Sequence, residues 1–489
     1  MALFESILTL LLLAILLLQV SRRLGIPYPT MLAAAGLCVA ALPWAPAIAL
    51  DPHLVLVLFI APAILDAAYD FPVRAIKRYW IALFALAFVA VIATTAAVAW
   101  VGVAFAGLPL AAAVALGAIV SPPDAAAAVA MLNRPSVPRA TATVLKGESL
   151  LNDATALMIF GVSVRIVYAD ASTGHVLTQL ALAVPGGIVL GIVFGRVAGW
   201  VVPYLAGTLG SILFQFAATF SVWLIADRLG LSAILAVVAT AMTAAQYTGS
   251  ASARDRLHTN SIWSVVVFML NVLAFLFVGL QARAIVRGFD PTQLRHAIAF
   301  SFIVLGVVIL VRIVLVMAYN RAIQPVYRRL GYGPGPTIKQ GILASWCGMR
   351  GMVTLAAAIA LPDDFPQRGL IVLASLTVVL GTLVIQGLTL EPLVRLLRFP
   401  QDTSQRDEIE LARAALAEVS ARAHAERAGA DVHDDAALRL AVVSRQRAAL
   451  ADLHRENRIE EDVFRTIEQE LDLEEVAATR DRPFNLVDA

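Results

Sequence analysis

The chain has 489 residues, of which 60% are hydrophobic and only 15% are charged, and its formal net charge is +2. Its mean hydropathy is +0.81. Water-soluble domains are roughly half apolar. The composition therefore excludes a soluble globule and predicts a polytopic membrane protein.

About 13 apolar segments, each long enough to cross a ~30 Å hydrocarbon core as an α-helix, extend from the N-terminus to residue 398. The first has no basic n-region and no small-residue cleavage site, which favours a membrane span over a signal peptide. We therefore predict an all-α transmembrane domain over residues 1–398. Its segments are 2–21, 29–48, 53–70, 80–106, 109–131, 142–169, 176–204, 208–227, 231–248, 260–282, 296–320, 337–361 and 369–396.

The connecting loops carry Lys and Arg unevenly. Loops on one side of the predicted membrane hold about 14 of these residues and those on the other hold about five, although residues 283–295 are basic on the poorer side. Cytoplasmic loops are the richer in Lys and Arg. The pattern predicts a periplasmic N-terminus and a cytoplasmic C-terminus. The excess of Arg over Lys reflects genome composition and indicates a bacterial source, so we expect a location in the inner (plasma) membrane.

Residues 399–489 differ in character from the rest of the chain. This tail holds 21 of the 35 acidic residues and 12 of the 37 basic ones. Apolar residues at helical spacing give it one apolar face on an acidic helix. They are Ile459, Val463, Phe464, Ile467 and Leu471. We predict a separate cytoplasmic helical unit, either a solvated hairpin or a regulatory or dimer-stabilising one.

Four acidic residues fall well inside the apolar segments: Asp66, Asp124, Glu148 and Asp153. An acidic side chain at the centre of a membrane helix costs about 2.5–3.5 kcal/mol, and a leucine returns only about 0.3–0.6 kcal/mol. Such residues are by default candidates for a functional site.

The segment GESLLND, residues 147–153, holds two of these acids. At 100° per residue, Ser149 lies about 40° from Asp153 and Asn152 about 100° from it, so these three can line one cavity. Glu148 points about 140° away and needs another partner. Among the intramembrane arginines only Arg350 lies between glycines, where a helix can open, so we predict a Glu148–Arg350 ion pair.

Two segments carry signals of interrupted helices. Pro122 and Pro123 lack backbone N–H groups and should break the helix that bears Asp124. Gly348 and Gly351 weaken the segment at 337–361. Two broken helices are typical of transporters built from inverted repeats, with the binding site near the midplane.

Each of these residues also has a purely structural interpretation. Buried Ser149 and Asn152 could join helices by hydrogen bonds, and the proline pair could form a kink without function. Asp124 and Asp153 could be paired structural carboxylates, and Asp66 could face water. Their joint occurrence favours the functional interpretation.

Six motifs, in chain order, resemble the monovalent cation/proton antiporter family, in its sodium/hydrogen exchanger branch with an Asn-Asp signature. The resemblance covers residues 1 to about 398. The motifs are RRLGIPYPTMLAAAGL, FIAPAILDAAYD, SPPDAAAAVAMLNR, GESLLND, SIWSVVVFMLNVLAFLFVGLQAR and GMRGMVTLAAAIALP.

The resemblance implies that Asp153 and Asp124 bind Na⁺, with oxygen ligands from Ser149 and Asp66. It also implies that Asn152 orients the site, that Glu148 and Arg350 hold the crossed helices together, and that the protein forms a homodimer. The sequence departs from the family in having Pro123 before Asp124 and Ala125 after it. A hydroxyl ligand before the aspartate is therefore missing.

The resemblance implies a secondary antiporter that exchanges Na⁺ (or Li⁺) for H⁺, and we expect cation and proton to compete for Asp153. Oxygen ligands suit a hard alkali cation. A one-for-one exchange moves no net charge, so we expect electroneutral transport. K⁺/H⁺ exchange at the same site stays open, while a channel and a membrane enzyme are much less favoured. We expect no cofactor and no nucleic-acid partner.

Overall fold

The computed structural model describes residues 2–24, 26–41, 54, 56–124, 137–168, 173–205, 208–250, 253–330, 335–400, 403–427 and 435–478. Within these ranges the regular structure is helical and contains no β-strand. The predicted all-α fold class is confirmed.

The helices of the amino-terminal part overlap the predicted segments, although α2 and α6 end earlier and α3 begins later than predicted. A π-helical turn, Leu56–Ile60, lies directly before α3. A second π-helical turn, Ala85–Val89, connects α4 to α5. The helices are α1 (Ala2–Leu24), α2 (Tyr28–Ala40), α3 (Ala61–Tyr69), α4 (Val73–Phe84), α5 (Ala90–Ala106), α6 (Leu110–Val120) and α7 (Arg139–Tyr168).

The remaining membrane helices are α8 (Thr173–Val201), α9 (Leu209–Arg228), α10 (Ala233–Ala244), α11 (Ala253–Arg287), α12 (Pro291–Leu330), α13 (Ile338–Trp346), α14 (Met352–Ile359) and α15 (Arg368–Leu397). The tail adds α16 (Ser404–Arg427), α17 (Asp435–Arg455) and α18 (Glu461–Ala478).

Each of the 13 predicted segments contains a described helix. Seven described segments are long and apolar enough to cross a membrane, and four shorter apolar helices accompany them. The exact number of spans stays a prediction, since parts of the segments 29–48 and 109–131 lie outside the described residues. The seven are Val73–Ala106, Arg139–Tyr168, Leu182–Leu205, Gly210–Arg228, Ala253–Arg287, Pro291–Tyr327 and Arg368–Leu397.

Helical structure stops where the prolines and glycines predicted it would. Helix α6 ends at Val120, and residues 121–124 are not helical. Helix α13 begins with a capping box at Thr337 and Gln340, and residues 347–351 separate it from α14. We call residues 347–351 the unwound segment.

The chain divides into two compact units. The first contains Met1–Gly195, Thr219–Thr243 and Val266–Pro400. Three large apolar clusters form its interior, and one of them joins α2, α11, α13 and α15 through residues such as Leu32 and Leu383, both fully buried. The functional residues predicted from the sequence lie in this unit.

The second unit contains Arg196–Ala218, Ala244–Val265 and Gln401–Ala489. Its tail is a three-helix arrangement rather than a hairpin, because the apolar face of α18 packs against residues from both α16 and α17. The buried members include Leu416 of α16, Leu450 of α17, and Ile459, Val463, Ile467 and Leu471 of α18 or just before it. The apolar face predicted from the sequence is confirmed, and the domain boundary at residue 399 stays a prediction.

A buried ion-pair network lies within the second unit. Asp472 of α18 is only 3% exposed. Its Oδ2 accepts a hydrogen bond of 2.9 Å from Arg256 Nε at the start of α11, and its Oδ1 pairs with Arg447 of α17. Arg447 also pairs with Glu475 at 2.6 Å. The carboxylate of Asp472 therefore joins two tail helices to α11.

Candidate cation-binding site

The polar residues of α7 lie deep inside the first unit. Asn152 is fully buried, Glu148 is 1% exposed and Asp153 is 9% exposed. The carboxylate of Asp153 accepts no hydrogen bond and joins no ion pair from the described part of the chain. A buried carboxylate without such partners is costly, and a proton or a bound cation would offset that cost.

Asn152 joins α7 to the chain that follows α6. Its Nδ2 donates a hydrogen bond of 2.8 Å to the carbonyl oxygen of Pro123. The next residue on each side of this bond is an aspartate, Asp153 on α7 and Asp124 after the proline pair, and the two carboxyl groups lie within electrostatic range of each other. The backbone N–H of Asp124 donates to Met349 O at 2.7 Å. The two non-helical stretches therefore meet beside Asp153.

Gly351 makes room for the carboxylate of Asp124. A β-carbon at position 351 would overlap the Asp124 side chain, including Oδ2. Glycine is therefore the residue that permits this close approach. The unwound segment and Asp124 fit together only because residue 351 has no side chain.

The guanidinium of Arg350 is fully buried and binds backbone carbonyls. Its Nε donates to Val120 O at 3.0 Å and its Nη2 to Ser121 O at 3.2 Å, while Nη1 donates to Gly348 O. The backbone N–H of Arg350 donates to Thr382 Oγ1 at 3.0 Å. Carbonyls at a helix C-terminus lack intrahelical partners. Arg350 thus supplies the donors that the end of α6 needs.

The predicted Glu148–Arg350 ion pair is wrong. Glu148 instead pairs with Arg312 of α12, whose two Nη atoms each donate to one carboxylate oxygen. The Nη2–Oε2 distance is 2.8 Å, and the same Nη2 donates to Ala344 O at 3.2 Å. The physical reason is that the donors of Arg350 are taken by carbonyls, whereas Arg312 presents a bidentate fork to the carboxylate.

Ser149 and Asp66 are the other two predicted oxygen ligands of the site. Ser149 is half-buried on α7, and Asp66 is half-buried on α3. Helix α3 packs in the same apolar cluster as Leu150 of α7. In the described ranges no hydrogen bond connects Asp66 with Asp124 or Asp153. Both ligand assignments stay predictions.

Two residues of the site were missed by the sequence reasoning. Arg312 lies inside an apolar segment, and the energetic cost of a charge there is a signal in the sequence that it needs a partner. The sequence did not show that this partner is Glu148. Thr382 gave no signal, because threonine is ordinary in membrane helices. Among the described residues, no three His, Cys, Asp or Glu side chains come together as a metal site. The available donors are carboxylate and carbonyl oxygens, which suit a hard cation.

These features define the class of protein. A multi-pass α-helical membrane protein in which the non-helical residues 121–124 and the unwound segment meet beside buried carboxylates has the build of a secondary transporter. The family profile "Sodium/hydrogen exchanger, transmembrane" matches residues 7–396. The chain belongs to this family of ion-transporting sodium/proton antiporters.

Relatives and solved structures agree with the family. An uncharacterised Na⁺/H⁺ exchanger of Mycobacterium bovis is 30% identical, with 93% of this chain and 92% of the relative covered. A sodium, potassium, lithium and rubidium/H⁺ antiporter of Bacillus pumilus is 28% identical over 75% of this chain and 57% of the relative. The sodium/proton antiporter MjNhaP1 of Methanocaldococcus jannaschii aligns with a TM-score of 0.63 and 16% identity, covering 82% of this chain and all of that one. This last likeness shows a shared fold.

Proposed function

We propose that the protein exchanges Na⁺, or Li⁺, for H⁺ and that both ions compete for Asp153. The observation that carries the proposal is the Asn152–Pro123 hydrogen bond of 2.8 Å. It holds Asp153 next to Asp124 in a buried setting where the Asp153 carboxylate has no described hydrogen-bond partner. A cation bound there displaces the proton, and a proton bound there displaces the cation.

Each remaining residue has a defined part in this proposal. Asp153 binds the cation or the proton, and Asp124 contributes a second carboxylate oxygen, while Ser149 and Asp66 supply further oxygens directly or through water.

Asn152 positions Asp153 against the chain that follows the end of α6. Arg350 holds that end through its carbonyls, and this role replaces the ion pair predicted from the sequence. The Glu148–Arg312 pair anchors α7 to α12.

Exchange of one monovalent cation for one proton moves no net charge. The membrane potential, worth ~2.3 kcal/mol per charge at 100 mV, would then not bias the cycle. We place the N-terminus in the periplasm and the tail in the cytoplasm of a bacterium, with the protein a homodimer in the inner membrane. Setting the membrane potential to zero with an ionophore should leave the exchange rate unchanged.

The second candidate is K⁺/H⁺ exchange at the same site. It is favoured by the Bacillus pumilus relative, whose name includes potassium and rubidium. The same carboxylate oxygens could hold a larger ion in a wider cavity, so the ion itself must be tested.

The test uses inverted membrane vesicles with a trapped pH-sensitive dye. Addition of Na⁺ or Li⁺ to energised vesicles should dequench the dye, and Asp153→Asn should abolish the response. The matched control is Asp227→Asn, an exposed acid at the end of α9, which should behave as wild type. A response to K⁺ alone would identify K⁺ as the transported cation in place of Na⁺. A response retained in Asp153→Asn would refute the role of Asp153.

A further inference from the structure

Gln386 lies near the middle of α15 and is fully buried. Neither its Nε2 nor its Oε1 has a hydrogen-bond partner within the described part of the chain. A carboxamide carries two N–H donors and one acceptor oxygen. Buried polar groups in folded proteins are nearly always satisfied, and an exception calls for an unseen water, ligand or functional role.

Other buried side chains of the described residues are unpartnered at one atom only. Asn152, Arg312 and Gln446 each leave one nitrogen or oxygen unpaired but form a hydrogen bond through another atom of the same group.

The hydroxyl groups of Thr95, Thr354 and Ser375 are also unpaired in the described residues. A hydroxyl can turn onto the carbonyl four residues earlier in its own helix, as Thr382 Oγ1 does toward Val378 O at 2.8 Å. One such bond cannot satisfy a carboxamide. Among these described side chains, Gln386 is the one in which both the nitrogen and the oxygen of the amide lack a partner, so it requires a partner from outside its helix.

The direction of Gln386 follows from its neighbours on α15. At 100° per residue it points about 40° from Thr382 and about 60° from Leu383, between the two. Thr382 Oγ1 accepts the N–H of Arg350 in the unwound segment. The carbonyl of Leu383 accepts a hydrogen bond of 2.9 Å from Thr30 of α2. The side chain of Gln386 therefore points between the unwound segment and the start of α2.

The start of α2 also lies near the proposed cation site. Tyr28, its first residue, is within electrostatic range of Asp124. Gly387, the residue after Gln386, lies against the side chain of Thr30, and a β-carbon there would overlap it. The unpartnered amide thus lies where α2, α15 and the unwound segment meet.

We propose that Gln386 is a further cation-binding residue of the transport pathway. Its Oε1 occupies one position in the coordination shell of a partly hydrated alkali cation as that ion moves between the α2 side and Asp124. The amide is left without a protein partner because its partner is the ion or the ion's water. This assignment rests on the proposed exchange and extends it to a residue outside the two aspartates.

The test compares thermal unfolding and exchange in purified and vesicle-embedded full-length protein. Gln386→Met keeps the length of the side chain but removes the amide. The unfolding midpoint should rise by about 2 °C or more, because an unsatisfied buried group is removed. The Na⁺ concentration for half-maximal exchange should rise about tenfold. Gln386→Glu retains an oxygen ligand and should stay within about threefold of wild type.

The matched control is Ser375→Ala, which removes another unpartnered buried polar atom from the same helix, two turns before Thr382. It should leave the Na⁺ dependence unchanged. If Gln386→Met is more stable but keeps the wild-type Na⁺ dependence, the amide lies outside the pathway. If it is less stable than wild type, the amide is a structural partner, and the proposal is equally overturned. Failure of the exchange function itself would appear separately, as a wild-type protein without a cation response.

Discussion

Asn152 donates its side-chain N–H to the carbonyl of Pro123 at 2.8 Å, and this bond connects the two chain segments that carry Asp153 and Asp124. The carbonyl of Pro123 is available because α6 ends at Val120. The bond therefore depends on the end of α6 before residue 123 and at the same time fixes the position of the chain that follows it.

Replacement of Asn152 by Leu should cost about 1–3 kcal/mol of stability, because the buried carbonyl of Pro123 loses its donor. Exchange should be lost as well, since Asp153 and Asp124 are no longer held together. The measurement is thermal unfolding beside vesicle exchange, with Thr155→Val, one turn further along α7, as the control. Wild-type stability and exchange in Asn152→Leu would contradict the positioning role.

The Glu148–Arg312 pair is suited to a double-mutant cycle. Arg312→Met should destabilise the protein by about 3–5 kcal/mol, because it leaves a buried carboxylate unpaired. Glu148→Gln combined with Arg312→Met should recover part of that loss, which thermal unfolding would show as strong coupling. The same cycle between Glu148 and Arg350 should give weaker coupling. Equal coupling in the two cycles would restore the partner predicted from the sequence.

The buried carboxylate of Asp472 should hold the tail to α11. Asp472→Asn removes the charge that faces Arg256 and Arg447 and should destabilise α18 by about 3–5 kcal/mol. Hydrogen exchange of α18 amides in the full-length protein would measure this as faster exchange. Glu474→Gln changes an exposed neighbour and should leave the exchange rates unchanged. Unaltered protection in Asp472→Asn would show that the network does not stabilise the tail.

Glu468 gives the tail a dependence on pH. Burial raises the pKa of the Glu468 carboxyl above its ordinary value, although the nearby charge of Arg256 opposes the shift. The folded tail therefore holds this proton more tightly than the unfolded tail does. Its contribution to stability is present at pH values below the unfolded pKa and is lost as the pH rises through the folded pKa.

Glu468→Gln should consequently slow hydrogen exchange in α18 at pH 7 and make little difference at acidic pH, where the wild-type carboxyl is protonated. The exposed neighbour Gln469 provides the control Gln469→Glu, which should not reproduce the effect. A larger stabilisation by Glu468→Gln at acidic pH than at pH 7 would contradict the sign of this linkage.

Much of the fold followed from local features of the sequence. Apolar length located the membrane helices. The proline pair located the end of α6, and the glycines around Arg350 located the unwound segment, because these residues act on their own backbone. Helical angles correctly separated Glu148 from Asp153. They could not identify its partner, because Arg312 is 164 residues away and the contact depends on how α7 and α12 pack. The third tail helix was missed for the same reason: an apolar face shows that a partner exists but not how many helices provide it.

The central claim is that the cation and the proton compete for Asp153, and proton release on cation binding tests it most directly. Na⁺ added to purified protein in weakly buffered solution should release protons, and the Na⁺ concentration for half-maximal release should rise as the pH falls. Asp153→Asn should release none, whereas Asp227→Asn should match wild type. Equal proton release from wild type and Asp153→Asn would contradict the account.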